Sequence, residues 1–217
     1  MRNPRPLSLI LATVAILLIG SGCRSAYYAA YEKFGVHKRD ILKDRVTDAR
    51  DEQQEASETF KDALTRLKEM TSFDGGQLES AYQDLQSDYD DCAARADAVQ
   101  NRIASMDQVA EDLFAEWEEE LEEISTPSLR RDSQKKLAQT RKRYDDVRLA
   151  LVRAEESMAP VLTKFKDYVL YLKHNLNAQA IASLKGEAES IQEEIRVLID
   201  QMNASIAKAD AFIGTME

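Results

Sequence analysis

The 217-residue chain is 31% charged and 44% hydrophobic, has 7 Gly and 4 Pro, and carries a formal net charge of −10. So few backbone breakers among so many charges exclude a loop-rich mixed domain and point to long helices. The acidic balance argues against a nucleic-acid partner, because neutralising phosphates takes a basic face; the local exception runs from Arg130 to Arg143.

Arg2 and Arg5 precede an apolar run from Leu7 to Ile19, and Gly20, Ser21 and Gly22 lead to Cys23. At 1.5 Å per residue that run reaches about 20 Å, short of a roughly 30 Å hydrocarbon core, so residues 1–22 read as a signal peptide rather than a membrane span. Ser21-Gly22-Cys23 resembles the lipobox of bacterial lipoproteins, which implies cleavage before Cys23 and acylation of that residue. Arg24 stands where an aspartate would resemble an inner-membrane retention signal. The expected destination is therefore the outer membrane, facing the periplasm. Acyl chains contribute about 0.8 kcal/mol per buried CH₂, enough when several share one cysteine to hold a soluble body at the membrane.

Residues 23–41 then form the lipidated anchor and the start of the first helix, with Tyr27, Tyr31 and Phe34 opening a helical stripe. From 42 to 217 the chain reads as an elongated coiled-coil domain. Leu42, Val46, Ala49, Ala56, Phe60, Ala63, Leu67 and Met70 recur at steps of four and three, with Gln53 as a polar seam position suited to fixing register at some loss of stability. In the turn after it, Asp74 as N-cap and Gln77 three residues on make a capping box, with Phe73 and Leu78 as its hydrophobic staple. Helix two carries the most regular seam: Leu78, Tyr82, Leu85, Tyr89, Cys92, Ala96, Val99, Ile103, Met106, Ala110, Leu113, Trp117, Leu121 and Ile124.

Thr126 and Pro127 suit the cap and first position of helix three. The acidic run Glu116 to Glu123 closes helix two and the basic run Arg130 to Arg143 opens helix three, each opposed to its own helix dipole. A hairpin setting the runs side by side relieves both. Helix three continues through Tyr144, Leu151, Met158, Phe165 and Leu172, with Pro160 expected to kink it. After Lys173 and His174, Asn175 to Asn177 is either a turn, with Asn177 capping a fourth helix, or part of one C-terminal helix near 85 residues. The seam resumes from Leu184 through Ala188, Ile191, Ile195, Leu198, Met202, Ser205, Ala209 and Phe212.

The expected fold is all-α: an elongated antiparallel bundle of four long helices, with three helices as the alternative. No spacing suggests a catalytic set, a metal site or a cofactor site. His37 and His174 read as surface or helix-end residues, and Cys92 as a small core residue.

The stretches Tyr27 to Leu42, Phe73-Asp74-Gly75-Gly76, Ser128-Leu129-Arg130-Arg131-Asp132-Ser133 and Tyr171 to Ile181 resemble an uncharacterised family of proteobacterial lipoproteins. The resemblance implies an envelope location and a helical fold and brings no catalytic residues. Together these readings predict a non-enzymatic, lipid-anchored periplasmic scaffold or adaptor that engages another envelope protein or polymer. Its contact surface is expected at the bundle tip, from Phe73, Asp74, Lys173, His174, Asn175 and Asn177. The alternatives are a cation- or small-ligand-binding lipoprotein using the acidic end of helix two, and a self-assembling homo-oligomer.

Overall fold

The computed structural model describes Tyr28, residues 37–71 and residues 78–216. The signal peptide, Cys23, the stripe Tyr27, Tyr31 and Phe34, and the turn containing Phe73, Asp74 and Gln77 lie outside the described residues. Six helices follow in order among the described residues: α1 (Lys38–Thr71), α2 (Leu78–Glu123), α3 (Pro127–Glu156), α4 (Met158–His174), α5 (Ala178–Ser183) and α6 (Lys185–Thr215). No strand occurs among the described residues.

The chain forms two compact units, Met1–Ile41 and Leu42–Glu217. In the first, the Lys38 ammonium lies 4.8 Å from the centre of the Tyr28 ring, and the His37 N–H donates to the Asp40 carboxylate at 3.2 Å across the first turn of α1. The second is an antiparallel four-helix bundle. Its register can be followed pair by pair. Arg66 meets Asp88 at 3.0 Å and Arg95 meets Glu52 at 2.9 Å, so α1 and α2 run in opposite directions. Along α2 the sequence Trp117, Asp107, Tyr89 faces Ser133, Tyr144 and Phe165 in reverse order, which makes α3 and α4 together one antiparallel partner of α2, interrupted at Ser157. Tyr144 packs edge-on to Phe212, Lys164 pairs with Glu194, and Arg50 meets Asp210 at 3.3 Å, placing α6 against both α3–α4 and α1. The expected four helices are present, and the continuous C-terminal helix is excluded by the break after His174.

The seam is buried as its spacing predicts. Leu42, Phe60, Leu67, Leu85, Met106, Leu151, Met158, Phe165, Leu172, Ile195, Leu198 and Met202 are all enclosed, each side chain of that size contributing about 1.5–3 kcal/mol by leaving water. Leu64, Val109, Phe114, Val169 and Ile199 are buried beside the seam as well. A helix with neighbours on two sides hides a wider stripe than a two-stranded coiled coil needs. Conversely, Leu78, Tyr89, Ala96, Trp117 and Ile124 are only half-buried.

Pro160 acts at a distance of one turn. The helix is interrupted at Ser157, which leaves Pro160 in the first turn of α4, where a missing N–H costs little. The Ser157 N–H and hydroxyl both donate to the Arg153 carbonyl, at 3.2 and 2.8 Å. At the start of α3, Pro127 occupies the first position as expected, but the Thr126 side chain makes no capping hydrogen bond.

Candidate functional site

The two turns that lie among the described residues, α2–α3 and α4–α5, are closed differently, and the difference locates the candidate site. Where α2 meets α3, Arg130 donates to the Ile124 carbonyl at 3.0 Å and the Glu122 carbonyl at 3.1 Å, satisfying the end of α2. The opposed charge runs lie alongside each other, yet they pair sparsely: Arg141 meets Glu118 at 2.7 Å and Arg130 approaches Glu122 at 4.0 Å. The guanidinium of Arg141 holds the Glu118 carboxyl below its ordinary range. Arg131, Lys135, Lys142 and Arg143 are exposed and form no ion pair within 4.0 Å among the described residues. Hairpin pairing thus accounts for only part of each run; the rest is a solvated face. About three turns back along α2 from Glu118, Asp107 accepts from the Tyr144 hydroxyl at 2.5 Å and from Arg148 at 2.7 Å. Burial first, and this carboxylate second, push the Tyr144 hydroxyl far above its ordinary pKa.

At the other turn, α4 finishes in the exposed residues Lys173 and His174, and the Lys173 charge suits a helix C-terminus. Asn175 leaves the helical region (φ −134°, ψ 49°), donates its side-chain amide to the Tyr171 carbonyl at 2.9 Å, and accepts from the Asn177 N–H at 2.9 Å. Asn177 sits just ahead of α5, its carbonyl accepting from the Ile181 N–H at 3.2 Å. The turn is therefore real, but the fourth helix starts in two pieces. Leu184 (φ −93°, ψ 4°) separates the six-residue α5 from α6. Of the six tip residues expected from the sequence, Lys173, His174, Asn175 and Asn177 share this turn, at the end where α2 begins; Phe73 and Asp74 are outside the described residues.

The sequence did not signal a neighbouring feature. Between α4 and the α5–α6 junction lies a groove of about 420 Å³, lined by Lys164, Asp167, Tyr168, Tyr171, Leu184, Glu187, Ser190 and Ile191. Tyr168 is buried, yet its hydroxyl has no hydrogen-bond partner. Burial and the nearby Glu187 carboxylate push its pKa up to about 12, so at neutral pH it remains a donor. Tyr171 is 43% exposed, which carries the apolar part of the lining onto the surface. A clue was available in the register: Tyr168 and Tyr171 both project from α4 opposite the stretch where the seam of the fourth helix is interrupted.

Elsewhere, no group of three or more His, Cys, Asp or Glu side chains among the described residues is arranged to hold a metal ion. Cys92 is enclosed in α2, where burial pushes its thiol pKa up. Among the described residues, no helix is long and apolar enough to cross a membrane.

In comparisons with known proteins, the model of DUF2959, described as a protein of unknown function, matches residues 27–216. No curated protein and no solved structure matches the chain.

Proposed function

The chain belongs to the DUF2959 family, and from that premise we propose that it is a non-enzymatic, lipid-anchored scaffold or adaptor of the bacterial envelope. In this reading Cys23 is acylated in the outer membrane, the helical domain extends into the periplasm, and the turn from Lys173 to Asn177 engages another envelope component. One observation supports it above the others. The bundle presents the exposed side chains of Lys173 and His174 at the end of α4 and of Asn177 in the turn that follows, close in sequence to a groove, while the end of α2 is capped by Arg130. A helical bundle that presents a polar turn near a groove suits an adaptor whose contact surface is held by the bundle.

Photocrosslinking in cells tests the contact surface, using probes at His174 and Asn177 and a control probe at the exposed α2 position Gln100. The expected result is one envelope protein captured from both tip probes, not from Gln100, and lost when Lys173→Glu is combined with His174→Ala at unchanged helicity. Self-crosslinks alone would overturn the reading in favour of self-assembly. The anchor has a separate test: palmitate labelling should vanish in Cys23→Ser, and labelling that persists removes Cys23 as the lipidated residue.

A further inference from the structure

The groove between α4 and α6 combines three properties that bear on what it can hold. Its volume, about 420 Å³, falls at the small end of ligand pockets and suits one or two side chains better than a whole helix. Its walls are the rings of Tyr168 and Tyr171 with Leu184 and Ile191, an apolar surface open to water. The Tyr168 hydroxyl, on a side chain only 3% exposed, is unpaired. A buried donor without an acceptor is unfavourable, and a carbonyl oxygen entering the groove would relieve it.

Charge narrows the occupant further. Lys164 on the rim is engaged by Glu194, whereas Asp167 and Glu187 are exposed and make no ion pair within 4.0 Å among the described residues. The uncompensated charge of the groove is therefore negative, and the whole chain carries −10. Such a site attracts a cationic group and rejects an anionic one placed at the same point.

We propose that this groove is a docking slot for a peptide segment of a partner protein that presents a large apolar side chain beside a lysine or arginine. The apolar side chain fills the space between Tyr171, Leu184 and Ile191. The neighbouring cation faces Asp167 and Glu187, and a peptide carbonyl accepts from the Tyr168 hydroxyl. The proposal rests on the adaptor reading, to which it adds the site and the chemistry of recognition.

The test uses the full chain and fluorescein-labelled hexapeptides with the central pair Phe-Lys, Phe-Glu or Ser-Lys, read by fluorescence anisotropy. Saturable binding of the Phe-Lys peptide is expected, with the other two roughly tenfold weaker or worse. Tyr171→Ala, at an exposed position that leaves the fold intact by circular dichroism, should weaken binding about tenfold, and Tyr168→Phe about threefold to tenfold. Asp167→Asn combined with Glu187→Gln should abolish the preference for Lys over Glu. No saturable binding at millimolar peptide, or a Lys preference that survives the double substitution, overturns the slot. Failure here with tip crosslinking intact removes the slot and leaves the adaptor; peptide binding with no tip capture does the reverse.

Discussion

The α2–α3 hairpin and the α4–α6 hairpin are built on the same heptad seam, yet one pairs the polar groups it buries and the other leaves a buried hydroxyl unpaired. In the first, Trp117 donates to Ser133 at 2.9 Å, Asp107 joins Tyr144 to Arg148, and Tyr144 packs edge-on between Phe114 and Phe212. Every one of those polar groups has a partner in place. In the second, a broken helix start, an unpaired Tyr168 hydroxyl and an apolar groove lie within three turns of one another. Polar atoms sealed against their own chain contribute to stability; a polar atom buried without a partner subtracts from it. A feature that costs stability, placed beside a surface groove, is where a binding function is most economically explained.

The contrast can be broken most severely at Asp107. Replacing it by Ala strips the acceptor from both Tyr144 and Arg148, and chemical denaturation should show a loss of about 1.5–3 kcal/mol, the range for hydrogen bonds to charged groups. A loss below about 0.5 kcal/mol would show that this pairing is not what distinguishes the two hairpins.

A second substitution sharpens the comparison within the core. Gln53 is fully enclosed and neither amide atom has a partner, and the adjacent Ser57 hydroxyl is unpaired too. Gln53→Leu should therefore stabilise the bundle by about 1–3 kcal/mol, raising the denaturation midpoint without changing the slope. A destabilised Gln53→Leu would mean that the amide is satisfied in solution.

Raising the pH should expose the same difference through the tyrosines. Tyr168 titrates at about 12 in the fold and near about 10 when unfolded. Above pH 10 the unfolded chain thus holds fewer protons than the native one, and stability falls as pH rises. The stabilisation is fully present below pH 10 and drains away through the window from 10 to 12. Tyr168→Phe should flatten that decline, and an unchanged pH profile would contradict the buried, protonated state of the hydroxyl.

The smallest expected effect is on stability at neutral pH in the same variant. Since the Tyr168 hydroxyl has no partner to lose, Tyr168→Phe should be neutral or stabilising by up to about 1 kcal/mol. A clear destabilisation would reveal a hydrogen bond formed in solution and would close the slot proposed above.

Much of the bundle was readable from spacing. The steps of four and three located α1, α2 and the α3–α4 path, and the Ser125 to Pro127 break fell where α2 ends and α3 begins. Positions such as Val109, Phe114 and Ile199 were not readable as core, because a third buried position per heptad depends on how many neighbours a helix has. The charge runs were visible as opposed dipole partners, but which of their members pair depends on side-chain reach across a particular register. That is why Arg141 finds Glu118 while Arg131, Lys135, Lys142 and Arg143 remain in water. Of the tip, the sequence offered a turn at Asn175 to Asn177 beside a continuous helix as its alternative, and the structure has the turn, with Lys173 and His174 still helical; the groove was not legible.

By itself the sequence determined the all-α class, the seam and the α2–α3 break, because heptad periodicity and the Thr126-Pro127 start act locally and are written in consecutive residues. Only the tertiary structure decided that Asn175 turns the chain rather than extending it, that Pro160 shifts the break to Ser157, and that Tyr168 is left without a partner beside a groove. Those outcomes depend on helices distant in sequence competing for the same space and the same hydrogen bonds, a competition that local propensity does not record.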